Sequence, residues 1–548
     1  MADPVLSIRN LTVGLPVKLD RKNAVTGISF DVRPREILCV VGESGSGKSI
    51  TSLATMGLLS PGLKVTSGSI DFDGRDVLKL SNKERNAMRG DQMAMIFQEP
   101  MTALNPAYTV GAQIEEVFRI HRNLSAADRR AEVMRLLEEV RLPDPKRLYD
   151  AFPHQLSGGQ RQRIMIAMAL ALDPKLLIAD EPTTALDVTT QAQILVLLKQ
   201  LNERHDAGIM FITHDFGVVA EIADRVVVMR HGEIVEQGTA DEVLNNPQHP
   251  YTRALIDAVP RPMTEETTPE ANENPVVIDV QGLNKTFTTS TGMFKPSRTV
   301  TAVNNVSFQV KRGETLGIVG ESGSGKTTLV RCLMRLIEPD SGAINISGVD
   351  FAAKSRSELR SHRKDIQIVF QDPYGSLNPR RTIGSQLIQG AINFGIPRKE
   401  AWDRVYKLLD IVRMPHDSVN RFPSQFSGGQ RQRLCIARAL VVQPKVLIAD
   451  EAVSALDVSI QREVLHLLND IRDRLGLTVI FITHDLRVAA QICNEVLVMQ
   501  YGSVVERGGV SQIFNAPSHD YTKALLSAQP GQNWDMPVFD EGDTLAKI

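Results

Sequence analysis

Only four cysteines occur in 548 residues, Cys39, Cys332, Cys435 and Cys493, and no two of them stand at CxxC spacing. A disulfide framework and a cysteine-held metal cluster are therefore not expected, and a reducing compartment suits the chain. The sulfurs read as small apolar core atoms. Long apolar runs are missing as well. A membrane-crossing helix needs about 18 apolar residues or more. The longest comparable run, Ile164 to Leu172, falls well short and stops at Asp173-Pro174. The opening residues MADPVLSIRN have no basic stretch followed by an apolar one, so no secretory leader is expected. Charge of one sign is also lacking: 62 Lys and Arg against 64 Asp and Glu leave a net charge of -2. Bulk attraction to nucleic acid or to an anionic membrane is not expected of such a chain. The composition that remains, 42% hydrophobic and 23% charged, is that of an ordinary globular protein with room for several domains.

The chain repeats itself. VGESGSGKS at 41–49 returns as VGESGSGKT at 319–327, and IFQEP at 96–100 as VFQDP at 369–373. LSGGQRQR at 156–163 returns as FSGGQRQR at 426–433, LIADE at 177–181 as LIADE at 447–451, and FITHD at 211–215 unchanged at 481–485. HPYTRAL at 249–255 has a counterpart in HDYTKAL at 519–525. Lys48 and Lys326 lie 278 residues apart (326 − 48), whereas Ser157 and Ser427 lie 270 apart (427 − 157). The second copy is thus eight residues shorter between glycine loop and SGGQ, a length change that surface loops absorb cheaply. The stretch 261–276, rich in Pro, Glu, Thr and Asn, reads as a linker. The expected division is a first domain at 1–260, a linker at 261–276 and a second domain with a tail at 277–548.

Apolar runs such as KLLIAD (175–180) and IMFITHD (209–215) have the length and Ile content of strands buried on both faces. Val5–Val13 and Val25–Val32 read as opening strands. Helical patterns at 49–59, 161–172 and 190–205 separate the later runs, so an α/β fold with a mostly parallel sheet covered by helices is expected.

Gly42, Glu43, Ser44, Gly45, Ser46, Gly47, Lys48 and Ser49 fit G-x-x-x-x-G-K-[ST], each glycine loop standing between an apolar run and a helix. Gly320, Glu321, Ser322, Gly323, Ser324, Gly325, Lys326 and Thr327, followed by Thr328, repeat the pattern. Glycine lets backbone N–H groups turn inward around phosphate oxygens, at a helix start whose dipole favours anions. Lys48 and Lys326 would neutralise β- and γ-phosphates, and Ser49 and Thr327 would ligate Mg²⁺. Asp180 and Asp450 end apolar runs as candidate Mg²⁺ holders. Glu181 and Glu451 beside them are candidate general bases for an attacking water. His214 and His484 follow Ile-rich runs, within reach of a γ-phosphate. Gln98 and Gln371 offer neutral amides to Mg²⁺ or water. Ser157, Gly158, Gly159 and Gln160, and likewise Ser427, Gly428, Gly429 and Gln430, place small residues at a helix start. They form a second candidate anion surface.

These residues together resemble the ABC ATPase family over nearly the whole chain: Walker A in the glycine loops, the Q-loop in Gln98 and Gln371, and the signature in LSGGQ and FSGGQ. Walker B matches LIADE, the D-loop matches Ala185–Asp187 and Ala455–Asp457, and the switch histidine matches His214 and His484. The resemblance implies two tandem P-loop domains, each a RecA-like core with a helical subdomain. It also implies that the two close head to tail around two ATP molecules, each glycine loop facing the other domain's SGGQ. Both sites keep lysine, glutamate, histidine and signature, so both are expected to hydrolyse ATP. An adenine-stacking aromatic is expected at Phe287 in the second half, where the first half has Leu15. DEAVSALD carries Ala452 in place of the usual Pro. Within the family, FQEPMTALNP, FQDPYGSLNP and the HPYT-type tails are similar to dipeptide and oligopeptide importer ATPases, and the length to fused members such as those of glutathione and microcin-type importers. The cofactors implied are ATP and Mg²⁺. The partners implied are two permease subunits and an extracytoplasmic substrate-binding protein, at the cytoplasmic face of the cell membrane and with no nucleic acid. A tandem ATPase of ribosomes or DNA is disfavoured by the short acidic linker and scattered cysteines, and an exporter motor by the HPYT-type tails.

Overall fold

The computed structural model describes residues 3–16, 21–98, 103–184, 186–261, 274–289, 298–454, 456–537 and 539. The chain divides into two compact units, one of residues 1–186, 190–259 and 529–548, the other of residues 187–189 and 260–528. Most of the expected linker, 262–273, lies outside the described residues, as do Ala185 and Ala455.

In the first unit the strands are β1 (Leu6–Gly14), β2 (Asn23–Val32), β3 (Ile37–Val41), β4 (Lys64–Phe72), β5 (Arg75–Asp76), β6 (Met93–Ile96), β7 (Leu176–Asp180), β8 (Gly208–Thr213), β9 (Arg225–Arg230) and β10 (Glu233–Thr239). A four-stranded sheet has the order β2-β1-β4-β5 and is antiparallel throughout. A six-stranded sheet has the order β10-β9-β3-β8-β7-β6, and every pairing in it is parallel except β9 with β10.

The second unit contains β11 (Val276–Thr289), β12 (Arg298–Lys311), β13 (Thr315–Val319), β14 (Ser341–Ile346), β15 (Val349–Asp350), β16 (Ile366–Val369), β17 (Val446–Asp450), β18 (Thr478–Thr483), β19 (Glu495–Gln500) and β20 (Ser503–Gly509). They repeat both sheets in the same order, β12-β11-β14-β15 and β20-β19-β13-β18-β17-β16.

The apolar runs become the central parallel strands because nothing along them faces water. Every residue of β3, β7 and β8, and of β13, β17 and β18, is buried. In the second unit alternate residues separate cleanly by face. Val446 and Ile448, with Ile480 and Ile482, pack against Ile278 and Phe308 of the antiparallel sheet. Leu447 and Ala449, with Val479 and Phe481, pack against Leu409, Leu434 and Leu468, which lie on the helices Arg398–Ile411, Gly428–Leu440 and Val458–Leu475. The layers are therefore the antiparallel sheet with the helix Lys326–Leu333, the mostly parallel sheet, and those three helices.

Two expectations need correction. Helices alone cover one face of the six-stranded sheet, whereas on the other face a second sheet joins the helix that follows the glycine loop, whose Leu329, Val330 and Leu333 share a core with Ile318 and Ile448. In the first unit that second sheet's strand β4, KVTSGSIDF, buries only Ile70 and Phe72 and carries no readable alternation. The helix expected at 49–59 runs only over Lys48–Thr55. Gly57 stops it in the left-handed region (φ 62), with Gly57 N donating to Ala54 O at 3.0 Å and Leu58 N to Leu53 O at 2.7 Å. That pairing is the Schellman closure of a helix end. The second copy closes the same way through Arg335 (φ 50), its N donating to Cys332 O at 2.9 Å.

The neighbours Leu447 and Ile448 each enter a packed core on opposite faces, so neither is a solvent-side position. Leu447→Ala and Ile448→Ala should each lower unfolding free energy by about 2–5 kcal/mol in chemical denaturation. A negligible loss at either one would contradict the two-sided burial.

Candidate functional site

Parallel strands deliver all their carboxyl ends to one edge of the sheet, and β9-β3-β8-β7-β6 brings the motifs together there. The glycine loop leaves β3, Asp180 ends β7 with Glu181 next, His214 follows β8, and Gln98 lies two residues beyond β6. The second unit does the same with β13, β17, β18 and β16.

The loop's shape depends on its first glycine. Gly42 has φ +147, and a Cβ there would lie 2.2 Å from Met229 O; Gly320 has φ +150, and its Cβ would lie 2.3 Å from Met499 O. No side chain fits so close to a neighbouring backbone. The turn points the loop carbonyls at the lysine. Lys48 Nζ donates to Gly42 O at 2.6 Å and Glu43 O at 2.9 Å, and Lys326 Nζ to Gly320 O at 2.7 Å and Glu321 O at 2.9 Å. Both lysines are buried, and each opens a helix, Lys48–Thr55 and Lys326–Leu333. Burial lowers the Lys326 pKa from its ordinary value.

The acids lie beside them. Ser49 Oγ donates to Asp180 Oδ1 at 3.0 Å. Burial pushes the carboxyl of Asp180 up to about 6, against the Ser49 bond, and burial does the same to Asp450, also to about 6. Their neighbours move the other way. Burial acts to raise Glu181, but the His214 contact, then Lys48 and Thr184, outweigh it and hold the carboxyl at about 2. Glu451 is likewise lowered, His484 and Lys326 outweighing burial. His214 Nδ1 lies 3.4 Å from Glu181 Oε1, and His484 Nδ1 3.7 Å from Glu451 Oε2. Gln98 Nε2 donates to Glu181 Oε2 at 2.9 Å, and Gln371 Nε2 to Glu451 Oε2 at 2.8 Å. Both glutamates are left-handed, φ 47 and φ 48, a conformation that costs energy for a side chain of this kind and occurs where a site demands it. Each is fixed by its own N–H, which donates to Ile212 O at 2.9 Å or Ile482 O at 3.0 Å on the adjacent strand.

The signature residues open helices. Ser157 Oγ accepts from Gln160 N at 3.2 Å while Gln160 Oε1 accepts from Ser157 N at 3.1 Å. Ser427 and Gln430 repeat this capping box at 3.3 and 3.1 Å. Gly159 and Gly429 have a packing reason to be glycine: a Cβ would come within 2.6 Å of Thr190 Cγ2 or 2.4 Å of Ile460 Cγ2. Phe287 is 39% exposed near the end of β11, with Lys285 Nζ 5.5 Å from its ring, whereas Leu15 packs partly buried against the first unit's core. Ala452 is buried.

Two residues of the site were not singled out from sequence. Tyr251 Oη accepts from Glu43 N at 3.2 Å, and Tyr521 Oη from Glu321 N at 3.0 Å. The signal available was the tyrosine shared by HPYTRAL and HDYTKAL in register.

The sequence matches the family described as "ABC transporter" at residues 25–184 and 303–454. The family described as "Oligopeptide/dipeptide transporter, C-terminal region" matches at 235–285 and 505–536. Proteins named "Glutathione import ATP-binding protein GsiA" from Shigella boydii and Escherichia coli are 46% identical to this chain, over 96% of it and 90% of their own length. A solved dimeric ATP-binding cassette bound to ADP and Pi is 28% identical, covers 42% of this chain and 98% of its own, and superposes with a TM-score of 0.39.

Asp180 holds its proton more tightly in the folded protein than at the ordinary value of 3.8. Its contribution to stability is therefore full below about pH 4 and lost as pH rises through about 6. Asp180→Asn removes the loss. It should be more stable than the parent at about pH 7.5, by up to about 3 kcal/mol, with the gap closing near pH 4. Denaturation without nucleotide across that range checks the sign.

Proposed function

Because this chain belongs to the ABC transporter ATP-binding family, we propose that it powers the import of glutathione or di- and oligopeptide-type solutes. It is an ATPase with two ATP-binding domains, here taken as 1–260 and 277–548 joined by 261–276. One observation carries the reading of the site: each unit independently gathers lysine, paired acids, glutamine and histidine at one sheet edge. The peptide-type cargo is supported by the C-terminal-region matches and by the named function of the relatives.

The chemistry assigned to the residues follows from their contacts. Lys48 and Lys326 exchange loop carbonyls for phosphate oxygens when ATP enters. The N–H groups at the starts of the two lysine helices complete the cradle. Glu181 and Glu451 stay ionised and orient the attacking water, accepting its proton. Their basicity is low while the histidine is close. If His214 or His484 turns to the γ-phosphate, that restraint is removed and the carboxylate becomes the stronger base. Gln98 and Gln371, now bonded to these glutamates, are placed to pass to the same water. The signature residues Ser157–Gln160 and Ser427–Gln430 are assigned to the nucleotide held by the other domain's loop. Phe287 is assigned to adenine at the second site. Ser49 with Asp180 and Thr327 with Asp450 offer the hard oxygen donors that Mg²⁺ takes, and the Ser49–Asp180 bond shows one such pair converging. Mg²⁺ held there, with the amide oxygens of Gln98 and Gln371, would neutralise charge on the phosphates.

Among the described residues no helix is long and apolar enough to cross a membrane. An importer's ATPase subunit works with membrane permeases, so the transport path belongs to other chains. We assign permease docking to the segments after Gln98 and Gln371, of which 99–102 lies outside the described residues. Exposed Tyr108 in the first unit and Tyr374 in the second support apolar docking there. A substrate-binding protein would deliver cargo from outside, and the chain would sit peripherally at the inner face of the membrane.

Glu181→Gln and Glu451→Gln keep size and hydrogen bonding but remove the base. With the permease pair present, each single change should lower ATP turnover by about 100-fold or more while ATP binding persists. If one of them left most turnover intact, the equivalence of the two sites would be wrong.

A further inference from the structure

The HPYT-type segments reach the glycine loops through a built path, repeated in both units. Glu236 on β10 accepts from Gln248 N at 2.6 Å and His249 N at 3.2 Å. His249 Nδ1 then accepts from Tyr251 N at 3.1 Å, at the start of the helix Pro250–Asp257. In the second unit Glu506 on β20 accepts from Ser518 N at 2.7 Å and His519 N at 3.2 Å, and His519 Nδ1 accepts from Tyr521 N at 3.1 Å. An edge strand thus pins the helix start, and the helix start aims the tyrosine. Both rings are buried, and both hydroxyls meet the N–H of the second loop residue, Glu43 or Glu321. Tyr251 Oη also donates to Glu43 Oε2 at 3.2 Å.

The peptide groups flanking these residues are held from two sides. The tyrosine takes the N–H of Glu43, and Lys48 takes its C=O; Tyr521 and Lys326 do the same for Glu321. The two restraints differ in what happens when a phosphate arrives. The lysine must leave the carbonyls to reach the nucleotide, whereas the tyrosine contact lies on the far side of the peptide and need not break. We propose that Tyr251 and Tyr521 are positioning residues that keep the entry limb of each glycine loop in its phosphate-accepting shape once the lysine has been drawn away. Their effect falls on nucleotide affinity rather than on the hydrolytic step. The inference rests on Gly42–Ser49 and Gly320–Thr327 being the phosphate cradles.

Tyr251→Phe, Tyr521→Phe and the pair of changes together remove only the hydroxyls. The Phe ring keeps its packing under the Arg230 guanidinium, 4.8 Å from the Tyr251 centroid, and in the second unit's core beside Leu486 and Leu525. Full-length protein is titrated with a fluorescent ATP analogue, and ATP turnover is followed with the permeases present. The expected result is a dissociation constant and KM raised about three- to tenfold in the paired variant, with kcat within about twofold of the parent. Melting without nucleotide should stay at the parent temperature. Unchanged affinity overturns the proposal, and so does a lowered melting temperature with KM intact, which would mark the hydroxyls as merely structural. Lys48→Ala with Lys326→Ala is measured alongside. If that protein still binds the analogue as the parent does, the cradle reading itself has failed. If it loses the analogue while the Phe variants bind normally, only the tyrosine proposal has. Should the paired variant not fold, the two single changes decide the matter by the same readouts.

Discussion

A buried ammonium governs each site. Lys48 is 5% exposed and Lys326 4%, and a charge held that far from water is costly unless it is paired and hydrogen-bonded. The pairing dictates much of the surrounding design. Loop carbonyls must turn inward, so the chain must pass within 2.2 Å of where a Cβ on Gly42 would sit, and only glycine can stand there. Carboxylates must come close, so the strand carrying Asp180 must finish at the same edge as the strand feeding the loop. Parallel pairing through β8 achieves this, and the helices and second sheet exist to keep both faces of those strands dry. The same arrangement then presents a positive centre, rimmed by helix N–H groups, to any phosphate that displaces the carbonyls.

Consecutive acids in this field are driven apart. Asp180 and Glu181 are neighbours in sequence, yet one rises to about 6 and the other falls to about 2. Burial acts on both. The difference is that Glu181, turned off the strand by its left-handed backbone, collects His214, Lys48 and Thr184. Asp180 stays in line with the strand, nearly closed to water, with Ser49. Two neighbouring carboxyls are in this way given different proton affinities by their surroundings. The strain at φ 47 is the local cost, and the strand-to-strand bond from Glu181 N to Ile212 O holds it in place.

What was legible in the sequence tracks how local the physics is. The apolar residues of LLIAD and FITHD declare two-sided burial by themselves, because Leu, Ile, Ala and Phe follow one another with no alternating polar position. The glycine loops declare their turn because no other residue type fits it. The antiparallel sheet was not legible beyond its opening strands: β4 mixes Thr, Ser and Gly with two buried residues, and its place is set by long-range pairing with β1. The short first helix was misjudged because Leu58 and Leu59 continue the apolar pattern after Gly57, and a Schellman closure outweighs apolarity there. The tyrosine contacts were visible as a repeat but not as a bond. Tyr251 lies 208 positions from Glu43, and no periodicity spans that distance.

Duplication supplies a comparison inside one chain. The two units differ at some packing positions around the site: Pro182 against Ala452 and the glycine at 57 against Arg335. Arg335 adopts φ 50 at its helix end, although a left-handed conformation is harder for arginine than for glycine, so the closure itself is retained while the residue is not. The lysine and glutamine bonds of the two copies agree to a tenth of an ångström, 2.6 and 2.7 Å from lysine to the first loop carbonyl and 2.9 and 2.8 Å from glutamine to glutamate, while the histidine–glutamate separations are 3.4 and 3.7 Å. Constancy of the lysine and glutamine bonds is what a buried, charged site imposes. Apolar contacts can be remade by several residue types at similar energy. An ammonium, two opposed carboxylates and an amide have few alternative partners, and each misplacement leaves a buried charge uncompensated.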